Sequence, residues 1–183
     1  MTDFLILYAS THGHTAKIAE RVAQTVRDGG AVAHVTDSTG AADLDLSDYD
    51  AVIVGASVHA GGHQREVRDW TKRHTSELRA MPSAFFSVCL TAADDTDESR
   101  AASRKYIDEF VEETGWTPDE NVTFAGALQY REYDFATRLV MRLLMKHGHH
   151  ETDTSKDHDY TDWDAVDRFG QECVAMVDRV ATA

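Results

Sequence analysis

The chain has 183 residues, 42% of them hydrophobic, long enough for one domain with a full buried core. Its formal charge is −14, with 21 Asp and 11 Glu against 13 Arg and 5 Lys. A general nucleic-acid-binding role, which needs clustered cations, is therefore disfavoured. No apolar run approaches the roughly 20 residues that span a bilayer, and two cysteines, Cys89 and Cys173, are too few for a disulfide framework or a zinc site.

The acidity reads as a hydrated surface adapted to high salt, where screening relieves self-repulsion. With no repeat, linker or secretory signal, the expectation is a cytoplasmic protein with a single domain over residues 1–183.

In chain order, Phe4-Leu5-Ile6-Leu7-Tyr8 begins a buried strand over residues 4–8. Ser10, Thr11, His12, Gly13, His14 and Thr15 follow as a tight, hydroxyl-rich turn, and a helix runs from 15 to 27. Such a turn aims backbone N–H groups and hydroxyls at one point, where the helix dipole favours negative charge. It lacks the lysine of the nucleoside-triphosphate cradle and the G-x-G-x-x-G spacing of dinucleotide turns. It suits the single phosphate of a mononucleotide such as FMN. The N–H groups of His12 and His14 are expected to matter more than their rings, which can be simply solvated.

Within that helix Ile18, Ala19, Val22, Ala23 and Val26 form one buried stripe, and Gly29-Gly30 ends it. Strands are predicted at 31–36, 51–55, 84–89 and 122–128, and helices at 64–74, 99–113, 133–147 and 163–180. Thr161 and Asp164 are expected to cap the last helix, whose stripe is Val166, Phe169, Cys173, Met176, Val177 and Val180. Strand–helix alternation predicts an α/β doubly wound parallel sheet of five strands in the flavodoxin-like order 2-1-3-4-5, with the ligand beyond the carboxyl ends of strands one and three.

That placement requires the loops after strands three and four to be ligand loops as well. The first, from Gly55 to His63, is rich in small residues that let a flat ring lie against the backbone; its candidates are Ser57, Val58, His59, Ala60 and Gly61. The second offers Ser87, Val88, Cys89 and Leu90, whose backbone groups can face a flavin's pyrimidine edge. Cys89 is read first as a small buried hydrophobe.

Residues 131–150 form a helical insertion with a broad apolar face, along which Arg138, Arg142 and Lys146 recur every four residues. Four Arg/Lys against Glu132 and Asp134 give +2 there and −16 over the rest. The stripe is open to three uses: contact with anionic lipid at a membrane surface, contact with an anionic substrate, or simple cover for the sheet. His147, His149, His150 and His158 have no recognised metal spacing and read as a surface cluster, not a metal site.

Beyond the loops, Val54-Gly55-Ala56-Ser57-Val58, Met81-Pro82-Ser83-Ala84-Phe85-Phe86-Ser87-Val88, Ala125-Gly126-Ala127-Leu128-Gln129-Tyr130 and above all Glu151-Thr152-Asp153-Thr154-Ser155-Lys156-Asp157 to Tyr160-Thr161-Asp162-Trp163 resemble the menaquinone-dependent protoporphyrinogen oxidase family of flavodoxin-like proteins. The resemblance covers nearly the whole chain. It implies FMN as cofactor, protoporphyrinogen IX as substrate and a quinone as electron acceptor, with the flavin doing the redox chemistry. The sequence departs from the family where an aromatic often stands and Ala60 is found, with His59 beside it as a substitute, and where His149-His150 replaces a Gly-Gly pair. An NAD(P)H:quinone reductase and a flavodoxin-type electron carrier are the rival readings. The first lacks a second nucleotide motif, and the second is poorly served by a greasy basic insertion.

Overall fold

Alternation of apolar side chains decides the layering. In β1 (Asp3–Ala9) Phe4 and Ile6 join one buried cluster, while Leu5 and Leu7 join another on the opposite face. Strand β3 (Ala51–His59) divides the same way, with Ile53 in the first cluster and Val52 and Val54 in the second. A strand buried on both faces has this continuous apolar run because successive side chains point to opposite sides. The computed structural model describes residues 1–41, 44–94, 96–128 and 158–181.

Helices α1 (His14–Asp28) and α5 (Trp163–Ala181) cover the first face. Helices α2 (Arg65–Arg73), α3 (Thr75–Leu78) and α4 (Asp97–Thr114) cover the second, where Phe85 stacks on Phe110 at 4.3 Å and Trp70 Nε1 donates to the Ala41 carbonyl. With β2 (Val32–Asp37), β5 (Ser83–Cys89) and β6 (Glu120–Ala125), the parallel order is β2-β1-β3-β5-β6. This is the expected 2-1-3-4-5 order once the two-residue strand β4 (Gly62–His63) is set aside, since it only folds back antiparallel on the end of β3.

Two local expectations are corrected. The fifth strand does not run to 128. It ends at Ala125, Gly126 N–H bonds the Cys89 carbonyl, and β7 (Ala127–Leu128) turns away to pair antiparallel with β8 (His158–Asp159). The last helix is not capped by Thr161 with Asp164. Asp162 accepts the Ala165 N–H at 3.0 Å, because the Thr161 hydroxyl is already donated to the Ala125 carbonyl. The predicted helix 133–147, the basic stripe of Arg138, Arg142 and Lys146, and three members of the histidine cluster lie outside the described residues. No described helix is long and apolar enough to cross a membrane.

Candidate active site

Register brings the three predicted loops together. Ala9 pairs with Ala56, and Ala56 with Ser87, so β1, β3 and β5 end side by side. The cleft beyond these ends has a volume of about 240 Å³. Ser10, His12, His14 and Thr15 line it from the first loop; Ser57, Val58, His59 and Ala60 from the end of β3, which runs to His59 and not to 55, and its turn; and Val88, Cys89 and Leu90 from the end of β5. Gly126 and Ala127, where β6 breaks toward β7, add to the wall. A larger hollow of about 400 Å³ sits between α1 and α5 around the Arg21–Asp167 pair. It reaches Gly29, at the far end of α1 from these loops, and contains none of their residues.

The start of α1 is arranged for an anion. Gly13 stands at the N-cap with φ 80°, a left-handed conformation that costs glycine little, and no side chain caps the helix. The first turn contains no acid. Among the described residues no carboxylate caps this turn, whose His14 and Thr15 line the cleft together with Ser10. Thr11, exposed at the tip, does not line the cleft; its hydroxyl accepts from Gln64 Nε2 at 3.4 Å.

The His14 ring is buried, not solvated. Thr161 Oγ1 lies 2.7 Å from its Nε2. The single hydroxyl proton of Thr161 goes to the Ala125 carbonyl at 2.8 Å, so Nε2 must be the donor to Thr161. Asp159 Oδ1 is 3.6 Å from the same nitrogen. Burial holds the His14 pKa below the usual imidazole value, Asp159 opposes that shift, and Lys17 adds to it. The ring thus ties the first turn of α1 to the segment between β8 and α5.

In the second loop the small residues divide. The space over Gly55 is filled by the Phe86 ring, whose Cζ lies 2.0 Å from where a Cβ would stand, so Gly55 makes room for the core and not for a ligand. The turn to β4 is made by Ala60, with φ 49°, and Gly61. Gly61 faces a separate hollow lined by His63, Arg68 and Glu113. At the rim the His59 ring meets His12 edge-on, 5.8 Å between centroids, and its Nε2 is 3.1 Å from Ser57 Oγ. Loss of water around the ring, then proximity to His12, lowers the His59 pKa.

In the third loop Ser87 is fully buried and does not reach the cleft; its hydroxyl bonds His63 Nε2 at 2.9 Å. Cys89 is buried beside the cleft with its thiol toward Ser103 Oγ, and burial raises its pKa. Sequence reasoning missed Gln64, His63, Gly126, Ala127 and Asp159, and read Thr161 only as a helix cap. The missed residues sit at the edges of elements, where spacing carries no signal until the register is known.

A flavodoxin domain profile matches residues 5–155. A protein of Escherichia coli (strain K12) named protoporphyrinogen IX dehydrogenase [quinone] is 33% identical over 175 residues, 96% of this chain and 96% of that protein. A Leishmania major protein of the same name is 39% identical over 173 residues, 94% of this chain and 74% of its own. The chain belongs to the protoporphyrinogen IX dehydrogenase family of flavodoxin-domain proteins. Among solved structures, oxidised flavodoxin 1 from Bacillus cereus superposes with a TM-score of 0.57 at 16% identity, covering 95% of this chain and 98% of that one. Rubredoxin oxygen:oxidoreductase from Desulfovibrio gigas gives 0.60 at 18% identity, with all of this chain spanning 38% of that one. Both likenesses concern the fold. In this family member, the cleft falls where a doubly wound sheet receives its ligand, beyond the carboxyl ends of its first and third parallel strands.

Proposed function

We propose that this chain is an FMN-dependent protoporphyrinogen IX dehydrogenase, which oxidises protoporphyrinogen IX to protoporphyrin IX and passes the electrons to a quinone. The observation that carries this reading is the uncapped start of α1, free of acids and flanked by Ser10 and Thr15, opening into a cleft walled by the β3 and β5 loops. The donor set fits a phosphate monoester: N–H groups with the helix dipole behind them and hydroxyls, with no cation needed. Ser10, Thr15 and the first-turn N–H groups would hold the phosphate. The turn from Ser57 to Ala60 and the segment from Val88 to Leu90 would flank the isoalloxazine. Bound there, FMN supplies the ring that accepts hydride, while the protein supplies position, shielding and potential.

No residue of the cleft is assigned a proton-transfer role, since pyrrole N–H protons can leave to solvent. Arg138, Arg142 and Lys146 are proposed to meet the carboxylates of the substrate or the anionic face of the cytoplasmic membrane.

The test is anaerobic mixing of the FMN-loaded protein with protoporphyrinogen IX, and separately with NADPH, following loss of the flavin's visible absorption. Bleaching by the porphyrinogen, with recovery on adding a quinone, is the expected result. Bleaching by NADPH alone would favour a quinone reductase, and bleaching by neither an electron carrier; either would overturn the proposal.

A further inference from the structure

Gln64 occupies the N-cap position of α2, yet its side chain makes no cap. It reaches back across the ends of two strands instead. Its Oε1 accepts the Ser57 N–H at 3.1 Å, and its Nε2 donates to Ser57 Oγ at 2.5 Å. The other amide hydrogen is shared between the Ala9 carbonyl and Thr11 Oγ1, both at 3.4 Å. Ser57 N–H can only donate and the Ala9 carbonyl can only accept, so the amide has one possible orientation. One side chain thereby joins the end of β1, the tip of the first loop and the second loop.

Resting on the FMN reading above, we propose that Gln64 is a positioning residue that fixes the spacing between the phosphate-holding loop and the ring-flanking loop. The β1–β3 ladder runs as far as Ala9 opposite Ala56, and the Gln64 amide carries the link beyond it, from Ser57 to Thr11. The amide is matched to the task because it offers an acceptor and donors at once. A carboxylate would keep the acceptor for Ser57 N–H and turn a repelling oxygen toward the Ala9 carbonyl. Gln64 is half-buried and links groups that already lie at the strand ends, so the tie shapes the cleft more than it supports the core.

The test compares Gln64→Glu and Gln64→Leu with the unsubstituted chain by FMN fluorescence titration at several pH values. Thermal unfolding of each FMN-free protein is followed alongside. Both substitutions should raise the FMN Kd by about tenfold, the combined effect of two or three modest hydrogen bonds. For Gln64→Glu the ratio to the unsubstituted chain should shrink on acidification, as the new carboxyl gains a proton and regains a donor. For Gln64→Leu that ratio should stay flat. Kd values within twofold of the unsubstituted chain, or equal pH-independent losses that follow lowered unfolding temperatures, would overturn the proposal. If the unsubstituted chain itself binds no FMN, the reading beneath the proposal falls, and that failure is told apart because it occurs before any substitution.

Discussion

Acidification should destabilise this protein, and the share carried by one histidine, His63, can be worked out from the structure. His63 closes the β3–β4 hairpin with only 6% of its surface exposed, between the edges of Phe85 and Phe110 at 5.3 and 5.2 Å. Burial first, then the Arg68 charge, pushes its pKa down to about 4, with Glu113 opposing. In the unfolded chain an imidazole titrates near 6.5. A base whose folded pKa is lowered takes up its proton more readily unfolded. Its neutral form therefore stabilises the fold above pH 6.5, and the contribution is lost as pH falls toward 4. Between about pH 7.5 and 4.5 the loss is about 2.5 kcal/mol. His14 and His59, also lowered, act in the same direction. Comparison with His63→Gln isolates the single residue, because the amide can still bond Ser87 but does not titrate near neutrality. Urea unfolding at fixed ionic strength should show the variant losing about 2.5 kcal/mol less than the unsubstituted chain over that interval. Equal losses, or a His63 ring titrating near 6.5 by NMR, would refute the reasoning.

Other sites give sharper, smaller tests. Gly55→Ala drives a methyl into the Phe86 ring, 2.0 Å from Cζ, and should cost about 3 kcal/mol by overpacking, seen as a lowered unfolding midpoint; an unchanged midpoint would show that the ring can move aside. Thr161→Val keeps the shape but leaves His14 Nε2–H and the Ala125 carbonyl without their partner, costing about 1–3 kcal/mol by urea unfolding; a neutral result would deny that tie. Replacing Arg138, Arg142 and Lys146 together with Gln should weaken binding to anionic vesicles or to porphyrinogen while FMN is retained. Unchanged binding of both would remove the stripe from the functional account.

The layers were legible in the sequence because burial on both faces writes itself into β1 and β3 as unbroken apolar runs, and into α1 as a stripe at spacings of three and four. The first loop was legible because a hydroxyl-rich turn between strand and helix has few uses. The side chains that hold the loops were not. Gln64 looks like the first residue of a helix, and its bonds to Ser57, Ala9 and Thr11 exist only once parallel pairing has set β1 beside β3. The same holds for Thr161, which matched a capping pattern while its hydroxyl was committed 36 residues away to Ala125. Ser87, offered by the sequence for its backbone, has its hydroxyl turned inward as a buried partner for His63, a pairing visible only once the strand phase is set.

The claim on which the rest depends is that the start of α1 holds the phosphate of FMN. It is tested most directly by titrating the cofactor-free chain with FMN and with riboflavin, in low and high salt, for the unsubstituted protein and for Ser10→Ala with Thr15→Val. FMN should bind one per chain and much more tightly than riboflavin, and the double substitution should remove most of that preference. Equal affinity for the two flavins, or no binding of either at any salt concentration, would contradict it.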